Sequence, residues 1–308
     1  MSDDDRRETR DDRRQPGQPG EAAGPEAPVR RTGDDERVRA AIRTELKADR
    51  LPDAPPTMEY RAQAANKVIE ISHVYLAFEQ PILEDVSFVA LGGETIVVAG
   101  ESGTGKSTIL KLLLRLLVPD KGKVLIDGEE ITTLNFPDAL KVRQKMGMVF
   151  QGAALFDSLT VYENVAYPLR EHTHLAEDEI EARVREKLSF VDLDPDRVMD
   201  MLPSDLSGGM RKRVGIARGM ANNPKIMLYD EPTSGLDPLT TATITHLIIK
   251  LQRELGVTSI VVTHDIRSAF RMASRIAVLH DRKICFFGTP EEMSGSDDRY
   301  LRDFLGGY

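Results

Sequence analysis

The chain of 308 residues contains one cysteine, Cys285, and no tryptophan. A single cysteine cannot form a disulfide within the chain, which excludes a disulfide-rich extracellular scaffold and favours a reducing compartment. No run approaches the roughly 18 consecutive apolar residues that a membrane-spanning helix needs. The first residues, MSDDDRRETRDD, have no apolar segment and many acids, so we expect neither a secretory signal nor a transit peptide.

Basic residues are too few for a typical nucleic-acid-binding protein. The chain has 41 Lys and Arg residues against 50 Asp and Glu residues, a formal net charge of −9. Because surfaces that bind phosphate backbones are usually basic, we expect no nucleic-acid partner. The composition instead indicates a soluble intracellular protein with one large domain or two small ones.

The first 60 residues differ from the rest of the chain. They hold 27 charged residues and seven of the 17 prolines, with few large apolar side chains. Such a segment buries too little apolar surface to offset the entropy of ordering its backbone, so we predict a mostly disordered tail over 1–60. Val38, Ile42 and Leu46 recur at helical spacing, which favours one short helix over 34–50, either transient or docked on a partner; the alternative is a solvated tail throughout.

The remainder alternates short β-branched runs with helical periods, as α/β domains do. The early strands should be antiparallel, because Asp127-Gly128 marks a turn, whereas the later strands are separated by helices and should be parallel and buried. Thr289 begins a capping box, and a small apolar stripe follows at 300–305, so we expect a short helix that docks on its own domain or contacts a partner. The predicted strands are 68–72, 87–90, 94–99, 123–127, 225–229, 258–263 and 275–280.

The segment GESGTGKS at 100–107 follows the apolar run TIVVA and has the spacing of a P-loop. Its glycines let successive N–H groups converge on phosphate oxygens, and the start of the following helix adds a positive dipole end. Lys106 can reach the β- and γ-phosphates, and the Ser107 hydroxyl can ligate Mg²⁺. A glycine-rich turn without ligand would not explain why Lys and Ser follow directly. The predicted nucleotide-binding residues are Gly100, Glu101, Ser102, Gly103, Thr104, Gly105, Lys106, Ser107 and Thr108.

A second candidate site is the run IMLYDE at 226–231, a buried strand that ends in two acids. Ligands of open α/β sheets bind at the carboxyl ends of the strands. We expect Asp230 to hold Mg²⁺ and Glu231 to act as the general base that polarises the attacking water. The alternative is a pair of solvated acids, which the P-loop in the same chain disfavours.

With LSGGM at 206–210 and VTHD at 262–265, these motifs resemble the nucleotide-binding domain of ABC ATPases in order and spacing, across 66–290. The resemblance implies a P-loop NTPase of ABC type, an α/β fold with a parallel-sheet core, an antiparallel β-subdomain and a helical subdomain at about 152–215. A short helical tail would follow at 291–308. It also implies ATP and Mg²⁺ as cofactors and ATP hydrolysis as the activity.

The same resemblance implies further site residues. Gln151 matches the glutamine that senses Mg²⁺ and the attacking water, and His264 matches the histidine that hydrogen-bonds the γ-phosphate. Asp237 matches an aspartate at the dimer seam. Phe78, or else Tyr75, matches the aromatic residue whose ring stacks on adenine. The signature loop, which caps the γ-phosphate held by a second subunit, corresponds to Ser207, Gly208 and Gly209.

Helical spacing places Met210, Val214 and Ala217 on the buried face of the helix after the signature loop, so Arg211, Lys212 and Arg213 are expected to be solvated.

The stretch 149–173 and the run PSDLSGGM are similar to the Mla-type and Mce-associated (Mkl-like) ATPases, which move phospholipids or sterols between membranes. This implies a homodimer around two ATP, integral-membrane permease subunits, an MCE-type lipid carrier protein, and a cytoplasmic location at the inner membrane through the permease. Alternatives are amino-acid import, lipoprotein release or a non-transport ABC ATPase. A P-loop kinase or GTPase is disfavoured, because no N-K-x-D motif is present and LSGG would be unexplained.

Overall fold

A computed structural model of the chain describes residues 66–306. The tail predicted over 1–60, with its helix at 34–50, lies outside these residues. The strands of the described part are β1 Lys67–Ala77, β2 Pro81–Leu91, β3 Thr95–Ala99, β4 Lys121–Ile126, β5 Glu129–Glu130, β6 Met146–Val149, β7 Ile226–Asp230, β8 Thr258–Thr263, β9 Arg275–His280 and β10 Lys283–Gly288. Its α-helices are α1 Lys106–Leu113, α2 Phe136–Arg143, α3 Val161–His172, α4 Glu177–Phe190, α5 Pro195–Val198, α6 Gly208–Gly219, α7 Pro238–Leu255, α8 Ile266–Met272, α9 Pro290–Ser294 and α10 Arg299–Gly306, with a 3-10 helix at Pro203–Asp205. None of these helices combines the length and the apolar character that crossing a membrane requires.

The strands form two sheets. The first is antiparallel, in the order β2-β1-β4-β5, and the second has the order β10-β9-β3-β8-β7-β6. In the second sheet β9, β3, β8, β7 and β6 run parallel, and β10 is an antiparallel edge strand. The predicted α/β class, with an antiparallel early part and a parallel later part, is therefore confirmed.

Strand β3 is buried on both faces, which explains its continuous apolar sequence. Val97 and Ala99 face a core shared with α3, α6 and α7, whereas Ile96 and Val98 face a second core shared with α1 and the antiparallel sheet. The parallel sheet is thus covered on both sides, and its carboxyl ends are left to carry the site.

A largely buried ion pair joins the two sheets. Glu94, at the entrance of β3, is 5% exposed and accepts hydrogen bonds from both Nε and Nη2 of Arg275 in β9. Nη2 of Arg275 also donates to the carbonyl oxygen of Val89 in β2 at 2.8 Å. One guanidinium therefore connects the antiparallel sheet to the middle of the parallel one.

The C-terminal helices pack on the domain that precedes them. Thr289 caps α9, and Glu292 completes the capping box that the sequence predicts. Leu301 and Phe304 of α10 are buried in the core around α7, and the Tyr300 ring stacks on His280 with ring centroids 3.6 Å apart. Of the two alternatives for this helix, the structure shows packing on its own domain.

Candidate active site

Four adjacent strands deliver the predicted motifs to one edge of the parallel sheet. The order is β3-β8-β7-β6, and all four strands run parallel. The loop 100–107 follows β3, His264 follows β8, Asp230 and Glu231 end β7, and Gln151 follows β6. Because the carboxyl ends of parallel strands lie at the same edge, the motifs converge although up to 164 positions separate them in the sequence.

The loop after β3 has the backbone that its glycines permit. Gly103 and Gly105 adopt φ values of 81° and 101°. A Cβ atom on Gly100 would lie 2.4 Å from the carbonyl oxygen of Leu279, so no larger residue fits there. The Thr104 hydroxyl donates to the carbonyl of Glu101 at 2.9 Å and closes the loop. The loop leads directly into the N-terminus of α1, where free N–H groups can bind an anion. The exposed residues of the loop are Glu101, Ser102 and Gly103, and Thr108 lies in the first turn of α1.

The Lys106 side chain folds back over this loop. It is 6% exposed, and its Nζ donates to the carbonyl oxygens of Gly100 at 2.9 Å and Glu101 at 2.7 Å. Burial lowers the pKa of the Lys106 ammonium, while the charges of Glu231, Asp230 and Glu101 oppose that lowering. The ammonium is thus held inside the loop by carbonyl groups.

Ser107 and Asp230 meet where β7 ends beside α1. The Ser107 hydroxyl donates to Oδ1 of Asp230 at 2.8 Å. A hydroxyl and a carboxylate are oxygen donors of the kind that Mg²⁺ prefers, and Mg²⁺ sites at phosphates use few protein ligands. This pair fits a magnesium ion that takes its other ligands from phosphate and water.

Glu231 and His264 form the second contact of the site. Oε2 of Glu231 lies 2.9 Å from Nδ1 of His264, and their side chains are 12% and 46% exposed. The Glu231 backbone adopts φ 48°, a left-handed conformation that costs a non-glycine residue about 1–3 kcal/mol. Its N–H is held by the carbonyl of Val262, and Asp265 caps α8 directly after His264. Strained backbone of this kind concentrates at functional sites.

Gln151 lies against the turn that follows Glu231. Its Nε2 donates to the Ser234 hydroxyl at 3.4 Å. A neighbour that the sequence did not predict is Lys212 of α6, whose Nζ donates to the carbonyl oxygens of Gln151 and, at 3.3 Å, Glu231. The expectation that Lys212 is solvated is wrong: it is 6% exposed, because α6 is packed between the strands and the segment after β6.

The signature segment and the segment at Asp237 are both helix starts. The Ser207 hydroxyl caps α6 by accepting from the N–H of Met210, and Asp237 caps α7 by accepting from the N–H groups of Leu239 and Thr240. The Thr240 hydroxyl also donates to Asp237, and this hydrogen bond is the main cause that lowers the pKa of the Asp237 carboxyl.

The two helix starts touch each other. A Cβ atom on Gly209 would lie 2.5 Å from Cγ2 of Thr240, and one on Gly208 would lie 3.8 Å from a methyl group of Leu236. Ser207 and Asp237 are exposed beside this contact. The two segments therefore present one joint surface to solvent.

Two aromatic side chains are candidates for the predicted stacking contact with adenine. Phe78 lies in the turn after β1 and is 64% exposed, whereas Tyr75 is 37% exposed with the Lys121 ammonium 5.8 Å from its ring centroid. Phe78 therefore has the more open ring, and the choice between the two stays a prediction.

A groove of about 570 Å³ lies between strand β6 and helices α2, α3 and α6. Aromatic side chains of Phe150, Phe156 and Tyr167 line it together with the cationic side chains of Arg143 and Arg218. The rings of Phe156 and Tyr167 lie 5.0 Å apart, and the Arg218 guanidinium lies over Phe156. Phe150, which lines the groove, directly precedes Gln151 in the sequence.

Asn164 holds the backbone of Phe156, which lines this groove, and the sequence reasoning missed it. It is fully buried in α3, and its amide donates to the carbonyl oxygens of Phe156, Leu159 and Thr160 while accepting from the N–H of Phe156. The capping box of Thr160 and Glu163 marks the start of α3, but no local signal shows that the next residue faces inward.

Comparison with known proteins gives a consistent family. A profile described as "ABC transporter" matches residues 83–234. The "Probable ribonucleotide transport ATP-binding protein mkl" of Mycobacterium tuberculosis strain H37Rv is 40% identical over 240 residues, which are 78% of this chain and 66% of that protein. The "Intermembrane phospholipid transport system ATP-binding protein MlaF" of Haemophilus influenzae is 38% identical over 229 residues, which are 74% of this chain and 86% of that protein.

Solved structures agree with these relatives. The cassette MJ0796, solved as a dimer in a post-hydrolysis state with ADP and Pi, superposes with a TM-score of 0.66 at 36% identity, covering 72% of this chain and 98% of that one. CbiO1 of Clostridium perfringens, part of the transporter complex cbiONQ, gives a TM-score of 0.68 at 30% identity, covering 74% of this chain and 90% of that one. The resemblance inferred from the four motifs is confirmed, and the chain belongs to the family of ABC transporter ATP-binding proteins.

Proposed function

We propose that this chain is the ATP-hydrolysing subunit of an ABC transporter, which dimerises around two ATP molecules and drives a membrane permease that moves phospholipid or sterol between membranes. The observation that carries the proposal is the convergence of four motifs at the carboxyl ends of β3, β8, β7 and β6. The chain spans 66% of the length of the mkl relative. The activity, the cargo and the partners of the whole protein are therefore part of the proposal.

The P-loop side of the site binds the phosphates. The N–H groups of the loop 100–107 and of the start of α1 face the anion, and Lys106 leaves its two carbonyl partners to contact the β- and γ-phosphates. Ser107 and Asp230 would hold Mg²⁺, to which Gln151 is the third candidate ligand. The ion would neutralise charge on the phosphates when bound.

The chemistry is attack of water on the γ-phosphorus, which forms a bond to the water oxygen and breaks the bond from the γ-phosphorus to the β,γ-bridging oxygen, so that ADP and phosphate are released. Glu231 accepts a proton from the water, and His264, 2.9 Å from that carboxylate, donates to a γ-phosphate oxygen. The Glu231 carboxylate contacts His264, whereas the Asp230 carboxylate accepts from Ser107, so the two adjacent acids would serve two different roles.

Dimerisation completes each site. Ser207, Gly208 and Gly209 of one subunit would cap the γ-phosphate on the P-loop of the other, with Asp237 at the seam. The start of α6 offers N–H groups and a positive dipole end to that phosphate. The arrangement uses the same surface from both copies, as a two-fold dimer requires, and Leu239, 79% exposed beside Asp237, is available for burial there.

The groove of Phe150, Phe156, Tyr167, Arg143 and Arg218 suits a helix from the permease. It combines aromatic anchors with two cations, which favours an amphipathic segment with acidic residues. A helix held there would contact the segment that carries Gln151, so its movement would reach the nucleotide. This attachment would place the chain at the cytoplasmic face of the inner membrane.

The cargo proposal is supported by the similarity to MlaF, whose name states phospholipid transport, and by the runs at 149–173 and 203–210. An MCE-type lipid carrier would be a further partner. The mkl relatives, whose name states ribonucleotide transport, make a ribonucleotide the second candidate cargo.

Affinity purification of the chain from its native host, with its permease, tests the cargo directly. Extraction and mass spectrometry of the bound small molecules should recover phospholipid or sterol at about one molecule or more per complex. The matched control is the same purification with Lys106→Ala, which tests whether recovery depends on ATP binding. Recovery of a ribonucleotide or another polar solute in place of lipid would overturn the lipid assignment.

A further inference from the structure

Lys212 is a buried cation without a described carboxylate partner. It lies in the second turn of α6, is 6% exposed, and the hydrogen bonds described for its Nζ go to the carbonyl oxygens of Gln151 and Glu231. Burial lowers the pKa of its ammonium, and the charge of Glu231 opposes that lowering. A buried lysine that bonds to carbonyls is costly compared with an apolar residue, so its position calls for a role.

The two carbonyls belong to the segments that carry the proposed water-activating groups. The carbonyl of Glu231 accepts from the N–H of Ser234 at 3.2 Å as well as from Lys212, which closes the turn. The side chain of Gln151 reaches the hydroxyl of the same Ser234. Lys212 thus holds the backbone of both residues, and Ser234 connects them a second time.

The same helix grips the segment after β6 at a second point. Arg218 donates to the carbonyl oxygens of Ala153 and Ala154, each at 2.8 Å, and both alanines have left-handed φ values of 63° and 46°. Gly215 leaves room for this segment, since a Cβ atom there would lie 3.1 Å from Cβ of Ala153. Helix α6 therefore holds this segment at two points, and Lys212 extends the contact to Glu231.

We propose that Lys212 is a positioning residue that ties the signature helix to Gln151 and Glu231, so that seating of the signature loop on the partner's nucleotide also sets the carboxylate that activates water. The inference rests on the proposed ATP hydrolysis. Charge-assisted hydrogen bonds to the two carbonyls hold the strained turn in place, and they move with α6 as one unit.

Lys212→Met in the full-length chain removes the donors and keeps a long, flexible side chain. Because a small displacement of a catalytic group lowers turnover strongly, we expect kcat for ATP to fall by roughly 10- to 100-fold while KM stays within about threefold of wild type. The matched control is Arg213→Met, which removes a neighbouring cation of α6 that donates to the carbonyl of Asp192, remote from the site. It should keep wild-type kcat and KM.

Hydrogen–deuterium exchange provides a readout that does not depend on turnover. Amides in peptides covering 150–155 and 230–236 should exchange at least about threefold faster in Lys212→Met than in wild type and Arg213→Met, because the carbonyl anchors are lost. If Lys212→Met does not fold, Lys212→Gln, which keeps one N–H₂ donor group, takes its place with the same expected direction. A wild-type chain that fails to hydrolyse ATP would overturn the proposed function, while exchange would still decide the role of Lys212. Unchanged kcat with unchanged exchange, or equal effects in Arg213→Met, would overturn the positioning role.

Discussion

Replacing Glu231 with glutamine removes one charge and one proton acceptor while keeping the size of the side chain. In the structure only 12% of the Glu231 side chain is exposed, and Oε2 lies 2.9 Å from Nδ1 of His264. The amide fills the same space but does not take a proton from water. The variant therefore isolates the proposed general-base role.

Two effects set the expected magnitude. A positioned general base accelerates a reaction by about 10²- to 10⁴-fold, which equals about 3–5 kcal/mol in activation free energy. Two further effects of the variant act on ATP affinity in opposite directions. Because the Glu231 charge opposes the lowering of the Lys106 pKa, its loss lowers that pKa further. The variant also removes the repulsion between the Glu231 carboxylate and the γ-phosphate. We expect turnover to fall about 100-fold or more, while ATP binds as tightly as to wild type or more tightly.

Phosphate release in the steady state measures turnover, and light scattering after gel filtration with ATP and Mg²⁺ measures the dimer. The variant should accumulate as an ATP-bound dimer, because the step that reopens it is slowed. Glu254→Gln, at an exposed position near the end of α7, is the matched control and should behave as wild type. A Glu231→Gln chain that keeps more than about a tenth of wild-type turnover would refute the general-base role.

Lys106→Ala should weaken ATP binding about 10- to 100-fold in calorimetric titration, because a charged hydrogen bond to phosphate is lost. The control Lys111→Ala, at an exposed position of α1, should bind ATP as wild type does. Equal affinity in wild type and both variants would contradict the P-loop assignment. Arg275→Met should destabilise the domain by about 3–5 kcal/mol, or lower Tm by roughly 6–20 °C in calorimetry, because the buried Glu94 carboxylate loses its partner; a Tm within about 2 °C of wild type would contradict this. Burial raises the pKa of Cys285 to about 11. Its thiolate is therefore scarce at pH 8, and iodoacetamide should alkylate Cys285 about tenfold more slowly than a free thiol, with the rate rising towards pH 11. Intact-mass spectrometry measures the rate of alkylation. Alkylation of Cys285 at pH 8 as fast as that of glutathione would contradict the raised pKa.

The sequence predicts the fold and the motif positions well because both depend on local patterns. The glycine spacing at 100–107 and the acids that end β7 are signals within a few residues, and each lies where a strand or a helix begins or ends. The convergence of these motifs then follows from the rule that parallel strands share a carboxyl edge.

Features that depend on packing between distant segments were not predictable. Lys212 looked solvated from helical spacing, but α6 is covered by the segment after β6 on the side where Lys212 lies. Strand β10 was missed because its hairpin turn, Asp281-Arg282, uses two left-handed residues without glycine or asparagine, so the usual turn signal is absent.

The close approach of Gly209 to Thr240 has a consequence for cooperativity. Because a Cβ atom on Gly209 would lie 2.5 Å from Cγ2 of Thr240, the start of α6 packs directly on the Thr240 side chain of α7, and we expect the two segments to move together. In the proposed two-fold dimer, the start of α6 would face the partner's nucleotide, while the start of α7, with Asp237, would face the equivalent segment of the partner. Closure around one ATP would then draw in the surface that completes the other site, so ATP occupancy should rise steeply and sigmoidally with concentration, with two molecules captured together.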